Sequence, residues 1–219
     1  MLTAVLLVCG LMTVQAQIPD QVKEIMKKCS EKMESPAGTE IEMEMRMSML
    51  VMKITMNLTV SEKGGKSLTK GSMKMMGHEA VIEDGFDGQR SWKYKHFKLK
   101  ESGKQKKERK DSLIITKTSK KPKANSDIDL DIDKEYRKAK LKENGRYYVI
   151  TFSDPIDKEE SPKKMEVQID RENMVLHQVS FKEGVMKVTL TIKRVRFGVS
   201  DGIFVLDTSK YPDAVVVNR

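Results

Sequence analysis

Apolar and polar residues alternate along most of this chain, and the alternation is sharpest where it is made of methionine. Ile41, Met43, Met45, Met47 and Met49 share one parity, with Glu42, Glu44, Arg46 and Ser48 between them; Met52, Ile54, Met56, Leu58 and Val60 continue on the other. Successive strand side chains point to opposite faces, so this predicts extended chain with one thioether face and one charged face. A bulge or bend near Leu50-Val51 would return the apolar set to one side. Methionine packs a pleated surface less well than Val, Ile or aromatic residues, so a sheet that uses it either fills an awkward gap or adapts to a guest of variable shape.

Ahead of this region Ile18, Val22, Ile25, Met26, Cys29 and Met33 recur at spacings of three and four, the signature of an amphipathic helix that Pro19 and Asp20 open and Pro36-Ala37-Gly38 end. Beyond it, Glu62-Lys63-Gly64-Gly65-Lys66 predicts a hairpin turn, Leu68 to Met76 and Glu79 to Phe86 two strands, and Asp87-Gly88 a tight turn into a strand bearing Trp92, Tyr94 and Phe97. Asp127 to Lys142 fits strand or helix. Alternation returns at Tyr148 to Phe152, Met165 to Ile169 and Val175 to Phe181, with turns at Asp170-Arg171-Glu172-Asn173 and Glu183-Gly184. Parity changes between Met186–Ile192 and Val195–Val199, predicting a bulge near Lys193-Arg194, and the chain closes with strands at Ile203 to Leu206 and Val215 to Val217. The expected class is α+β, mainly an antiparallel meander of about ten strands behind one helix.

Met1 to Ala16 carries no charge, holds an apolar run from Ala4 to Leu11 and ends in Val14-Gln15-Ala16. It predicts a signal peptide cut before Gln17, hence export to the periplasm and a single domain over residues 17–219. Cys29 is then the one remaining cysteine, so no internal disulfide forms, and its place on the apolar helix face suits a buried small hydrophobe. The net charge of +9 is concentrated: between Lys98 and Lys123 eleven Lys or Arg face three acids. Lys104, Lys106, Lys107, Arg109, Lys110, Lys120 and Lys121 are the candidate docking residues for an anionic membrane surface or an acidic protein, against the simpler reading of solvated loops. No aromatic residues interleave with them, and with export this argues against nucleic acid.

No signature of catalysis stands out: there is no Gly-x-Ser-x-Gly, no His-Glu-x-x-His and no phosphate-cradling glycine loop. Asp127-x-Asp129-x-Asp131 begins like a calcium loop, but Ile132 stands where the sharp turn needs glycine and Lys138 where the closing acid belongs. His177 shares the parity of Val175 and Val179, which suits a half-buried imidazole better than a ligand. A binding protein without cofactor, metal or catalytic group is the expectation.

Asp87-Gly88-Gln89-Arg90-Ser91-Trp92-Lys93-Tyr94 resembles the Asp-Gly-x-x-x-Trp-x-Tyr hairpin of the bacterial outer-membrane lipoprotein carriers, the LolA-like family. The exported N-terminus, first amphipathic helix, two long early strands, Met165 to Phe181 hairpin, and Phe204, Pro212 and Val215 to Val217 follow in the family's order. The resemblance implies an unclosed half β-barrel covered by helices, with an apolar cavity for lipoprotein acyl chains. It also implies inner-membrane release machinery as a partner, and a monomer. The family's Arg-Pro pair before the Trp hairpin is replaced here by Met73-Lys74-Met75-Met76-Gly77-His78, so a latch built on that arginine does not transfer.

Together the Met pattern and the resemblance place Met43, Met45, Met47, Met49, Met52, Ile54, Met56, Met73, Met75 and Trp92 on an acyl cavity, with Val22, Ile25, Met26 and Cys29 as the helix lid. The same face could instead be a dry core closed by that helix. Three functions fit the chain: a periplasmic lipoprotein carrier, an envelope sensor or scaffold of the same shell that binds lipid or protein, and an enzyme on envelope lipid whose catalytic group is not legible.

Overall fold

A computed structural model describes residues 18–75, 78–98, 111–118, 132–157, 159 and 161–218. Helix α1 (Asp20–Met33) is followed by strands β1 (Thr39–Met49), β2 (Met52–Lys63), β3 (Lys66–Met75), β4 (His78–Phe86), β5 (Arg90–Lys98) and β6 (Ser112–Lys117). A short helix α2 (Ile132–Glu135) leads into β7 (Tyr136–Asn144), β8 (Tyr147–Pro155), β9 (Lys164–Asp170), β10 (Leu176–Glu183), β11 (Met186–Phe197) and β12 (Val215–Asn218). All twelve strands form one open sheet in the order β12-β6-β5-β4-β3-β2-β1-β11-β10-β9-β8-β7. Two antiparallel meanders, β1 to β6 and β7 to β11, are thus joined where β1 pairs with β11.

The parity change at Leu50-Val51 is a hairpin turn, not a bulge. Met49 faces Met52, Met47 faces Ile54 and Met45 faces Met56, so a two-residue turn reverses the chain and swaps parity while keeping the apolar set on one face. The other parity change is a bulge at the predicted place: Glu42 faces Arg194 and Met43 faces Ile192, which leaves Lys193 as the extra residue. Two further expectations are corrected. Ile203 to Leu206 is not a strand; Asp201–Phe204 and Thr208–Lys210 are single 3₁₀ turns. Among the described residues the strands number twelve, and β12 runs parallel to β6, with Val216 beside Leu113.

Helix α1 seals one part of the sheet. Its buried Val22, Ile25, Met26, Cys29 and Met33 form one core with Met43, Leu58, Val60, Ile150, Phe152, Val167, Ile169, Leu176 and Ile192, residues drawn from six strands. Thr39 Oγ1 donates to the Met33 carbonyl at 2.7 Å inside this core, and the Gly198 and Val199 amides donate to the Gly38 and Ala37 carbonyls at 3.0 and 3.1 Å. The helix end and both neighbouring strands are therefore tied together. A second, smaller core of Leu68, Trp92, Leu113 and Phe204 lies under the C-terminal segment. Asp201 pins that segment to the β2–β3 hairpin through Lys63 at 2.9 Å and Lys66 at 3.0 Å. Among the described residues no helix is long and apolar enough to cross a membrane.

Candidate functional site

The strand registers assemble a row of apolar side chains that no single segment reveals. Leu141, Ile150, Val167, Val179, Leu190, Met45, Met56, Met73, Ala80 and Phe97 stand opposite one another in succession across ten strands. A parallel row two residues along runs Ala139, Phe152, Met165, Phe181, Val188, Met47 and Ile54. Alternation makes each row continuous with its neighbours on the same face, so the sheet carries a broad apolar surface whose central strands are mostly methionine.

This surface is not covered uniformly. Met43 is 4% exposed within the helix-centred core, and Met45 and Met56 pack at its margin. Met47, Met49, Met52, Ile54 and Met73 are half-buried and lie beyond that core. Burial thus falls along β1 from the end near the helix toward the Leu50-Val51 turn, leaving a thioether-lined patch neither sealed by α1 nor turned fully to water. Met75 faces His78 at the end of the β3–β4 pair, and its side chain lies outside the described part of the structure. Arg171 lies over the Tyr148 ring, while His177 is half-buried and stacks on Tyr147 with ring centroids 4.4 Å apart.

Trp92 does not join the methionines. It faces Gly85, which faces Leu68, which faces Ser61 and then Glu40; this parity belongs to the opposite face of the sheet. There it is 2% exposed in the second core, and its Nε1 donates to Glu83 at 3.0 Å. Gly85 is what admits it: a Cβ there would sit 2.0 Å from the indole Cζ2. The turn ahead is shaped by the Asp87 carboxylate, which accepts from the Gln89 and Arg90 amides at 2.9 and 2.7 Å. The hairpin motif therefore builds the seat of the C-terminal segment, not the acyl surface.

Around that seat sits a polar group the sequence did not single out. Tyr94 donates to Asp111 at 2.8 Å, His96 Nδ1 lies 2.7 Å from the same carboxylate, and Tyr211 donates to Glu83. Burial, together with the Asp111 carboxylate, pushes the Tyr94 phenol up to about 12. Tyr94, His96, Asp111 and Tyr211 border a cavity of about 300 Å³ with Val81, Lys210, Pro212 and Asp213. The Tyr211–Glu83 bond and the Tyr94–Tyr211 ring contact at 4.6 Å make them a polar clasp on the segment that carries Tyr211. The signal lay in the shared parity of Trp92, Tyr94 and His96, but the partners come from distant sequence.

The helix residues Val22, Ile25, Met26 and Cys29 all face the sheet. Burial pushes the Cys29 thiol up to about 12, so it stays protonated and unreactive at neutral pH. Lys104, Lys106, Lys107, Arg109, Lys110, Lys120 and Lys121, the Asp127-Asp129-Asp131 acids and the leader lie outside the described residues. No group of His, Cys, Asp or Glu among the described residues is arranged to hold a metal ion.

No protein-family description matches this chain, and no curated protein is similar to it. Among solved structures it is similar to an uncharacterized conserved protein from Thermus thermophilus, at 12% identity and a TM-score of 0.46, over 91% of this chain and 99% of that one. It is similar to the Mycobacterium tuberculosis lipoprotein LppX at 10% identity and a TM-score of 0.47, over 83% and 98%. It is also similar to a LolA superfamily protein from Nitrosomonas europaea at 14% identity and a TM-score of 0.37, over 84% and 97%. The last belongs to the superfamily that the Asp87–Tyr94 hairpin resembles, and at these identities the likeness is one of fold alone.

Proposed function

We propose that this protein binds the acyl chains of lipids or lipoproteins on the methionine face of its sheet and acts as a periplasmic carrier, without catalysis. The observation that carries the reading is the half-buried thioether patch beyond the reach of α1, continuous with an apolar row ten strands wide. Each buried methylene contributes about 0.8 kcal/mol, so a chain of about fourteen carbons gains about 10 kcal/mol before ordering costs. Methionine suits that cargo because its unbranched side chain re-packs around tails of different length and position. A surface that deforms also lets go, which transfer requires. The Asp87–Tyr94 hairpin's resemblance to the lipoprotein carriers supports the same reading, and the predicted leader fits export.

The direct test is mass spectrometry of lipid that copurifies with the protein, paired with titration of a fluorescent fatty acid. Bound acyl species and saturable uptake are expected; their joint absence would make the face a closed core. Release of lipoproteins from inner-membrane vesicles into solution then separates a carrier from an envelope sensor of the same shell.

A further inference from the structure

The two ends of the sheet are built differently. At one end the turns are polar: Gly64-Gly65, Asp87-Gly88-Gln89, Gly145-Arg146 and Arg171-Glu172-Asn173. At the other, two hairpins made adjacent by the β1–β11 pairing end in Leu50-Val51 and Gly184-Val185, with Leu50 87%, Val51 100% and Val185 61% exposed. Leu50 has a φ of +35°, at the first position of a two-residue turn where glycine is the usual occupant. An aliphatic residue in a disfavoured backbone conformation, with its side chain in water, does nothing for the fold.

Charge follows the same division. Along the charged face of β1 and β11 toward the polar end, cations are paired: Arg194 with Glu42 at 2.8 Å, Lys193 with Glu44 at 3.4 Å, and Arg196 with Glu40. One step in from the apolar tips, Lys182, Lys187, Ser48 and Lys53 form a row across four strands. Lys182 stands directly opposite Lys187, and among the described residues none of the three lysines has a carboxylate partner. Glu183 is the one acid of the two tips. Like charges facing each other across strands cost stability, so this row is also unexplained by the fold.

We propose that these two hairpin tips dock the protein on an anionic lipid bilayer, with Leu50, Val51 and Val185 entering the acyl boundary and Lys53, Lys182 and Lys187 meeting the headgroups. Aliphatic tips backed by a row of cations that have no carboxylate partner among the described residues match the layered chemistry of that surface, apolar below and anionic above. The inference stands apart from the acyl-binding reading, although the thioether patch lies at the same end of the sheet.

Sedimentation of the full chain with vesicles of phosphatidylcholine, with and without phosphatidylglycerol, tests it. Leu50→Gly with Val51→Ser keeps the turn chemistry, so it is expected to fold with an unchanged or higher Tm while partitioning falls about tenfold. Lys53→Gln with Lys187→Gln should lower partitioning onto the anionic vesicles about thirtyfold, at about 1 kcal/mol per lysine. Lys140→Gln with Lys142→Gln, on the edge strand β7, should leave it unchanged. An environment-sensitive fluorophore on Val51→Cys should shift to the blue on those vesicles. Partitioning unaffected by the tip variants, lowered equally by the β7 pair, or accompanied by a label that stays in water would overturn the proposal. Fatty-acid uptake by the tip variants should match the wild type, so failure of uptake in every form would sink only the acyl reading.

Discussion

Met43 and Met47 lie four residues apart on one strand and one face, yet they should fail in opposite ways. Met43 is 4% exposed and packs in the core that α1 closes, so Met43→Ala opens a cavity there and should cost about 2–5 kcal/mol. For a domain of this size each 1 kcal/mol lowers Tm by about 2–4 °C, which places the expected loss at about 4–20 °C. Met47 is half-buried and outside that core, so Met47→Ala should cost about 1 kcal/mol of stability. It should instead weaken binding of a fluorescent fatty acid about five- to tenfold, the equivalent of about 1 kcal/mol of lost contact. Urea unfolding followed by near-ultraviolet circular dichroism, with fatty-acid titration of each variant, measures both. Equal destabilisation by the two substitutions with unchanged affinity in Met47→Ala would show that the whole face is sealed, and the division of β1 into an anchoring half and a binding half would be wrong.

Other expectations follow from the second core and from the turns. Gly85→Ala places a methyl group 2.0 Å from the Trp92 ring, so the indole must leave its seat. Because Trp92 is the single tryptophan, a red-shifted emission should accompany a loss of about 1–3 kcal/mol, and an unshifted spectrum would refute the tight seat. Burial alone would raise the Asp170 carboxyl, but the Asn173 amide, the Arg146 guanidinium at 2.6 Å and the Glu172 amide together hold it below the ordinary value. The unfolded chain therefore takes up this proton first as pH falls, so the stabilisation is complete above about pH 4 and is lost as pH drops through the lowered native value. Asp170→Asn should flatten that part of a urea midpoint-against-pH curve, and an unaltered curve would remove Asp170 from the account.

Most of the elements could be read from alternation alone because strand burial is periodic and the turns are marked by glycine and acids. The helix was legible in the spacing of Val22, Ile25, Met26 and Cys29, and the Lys193 bulge in a parity change. The same parity signal misled at Leu50-Val51, since a bulge and a two-residue turn both shift parity by one, and Leu-Val carries none of the usual turn chemistry. Ile203 to Leu206 reads as a strand because Ile-Phe-Val-Leu is a continuous apolar run, whereas Asp201–Phe204 is a 3₁₀ turn that buries Phe204 alone. Trp92 was misplaced because parity fixes which residues share a face within a strand, but the register across β2 to β5 decides which face that is. The row that unites Leu141 with Phe97 depends on pairings between β1 and β11, some 150 residues apart, and no local pattern encodes them.

The two rims of the sheet bear on crowding. One rim, β7, is studded with Arg137, Lys138, Lys140 and Lys142; the other, β12, spans only Val215–Asn218. Positive charge repels a second copy at the first, whereas Val215, Val216 and Val217 are exposed at the second. Edge-to-edge pairing with a second copy is therefore disfavoured at β7.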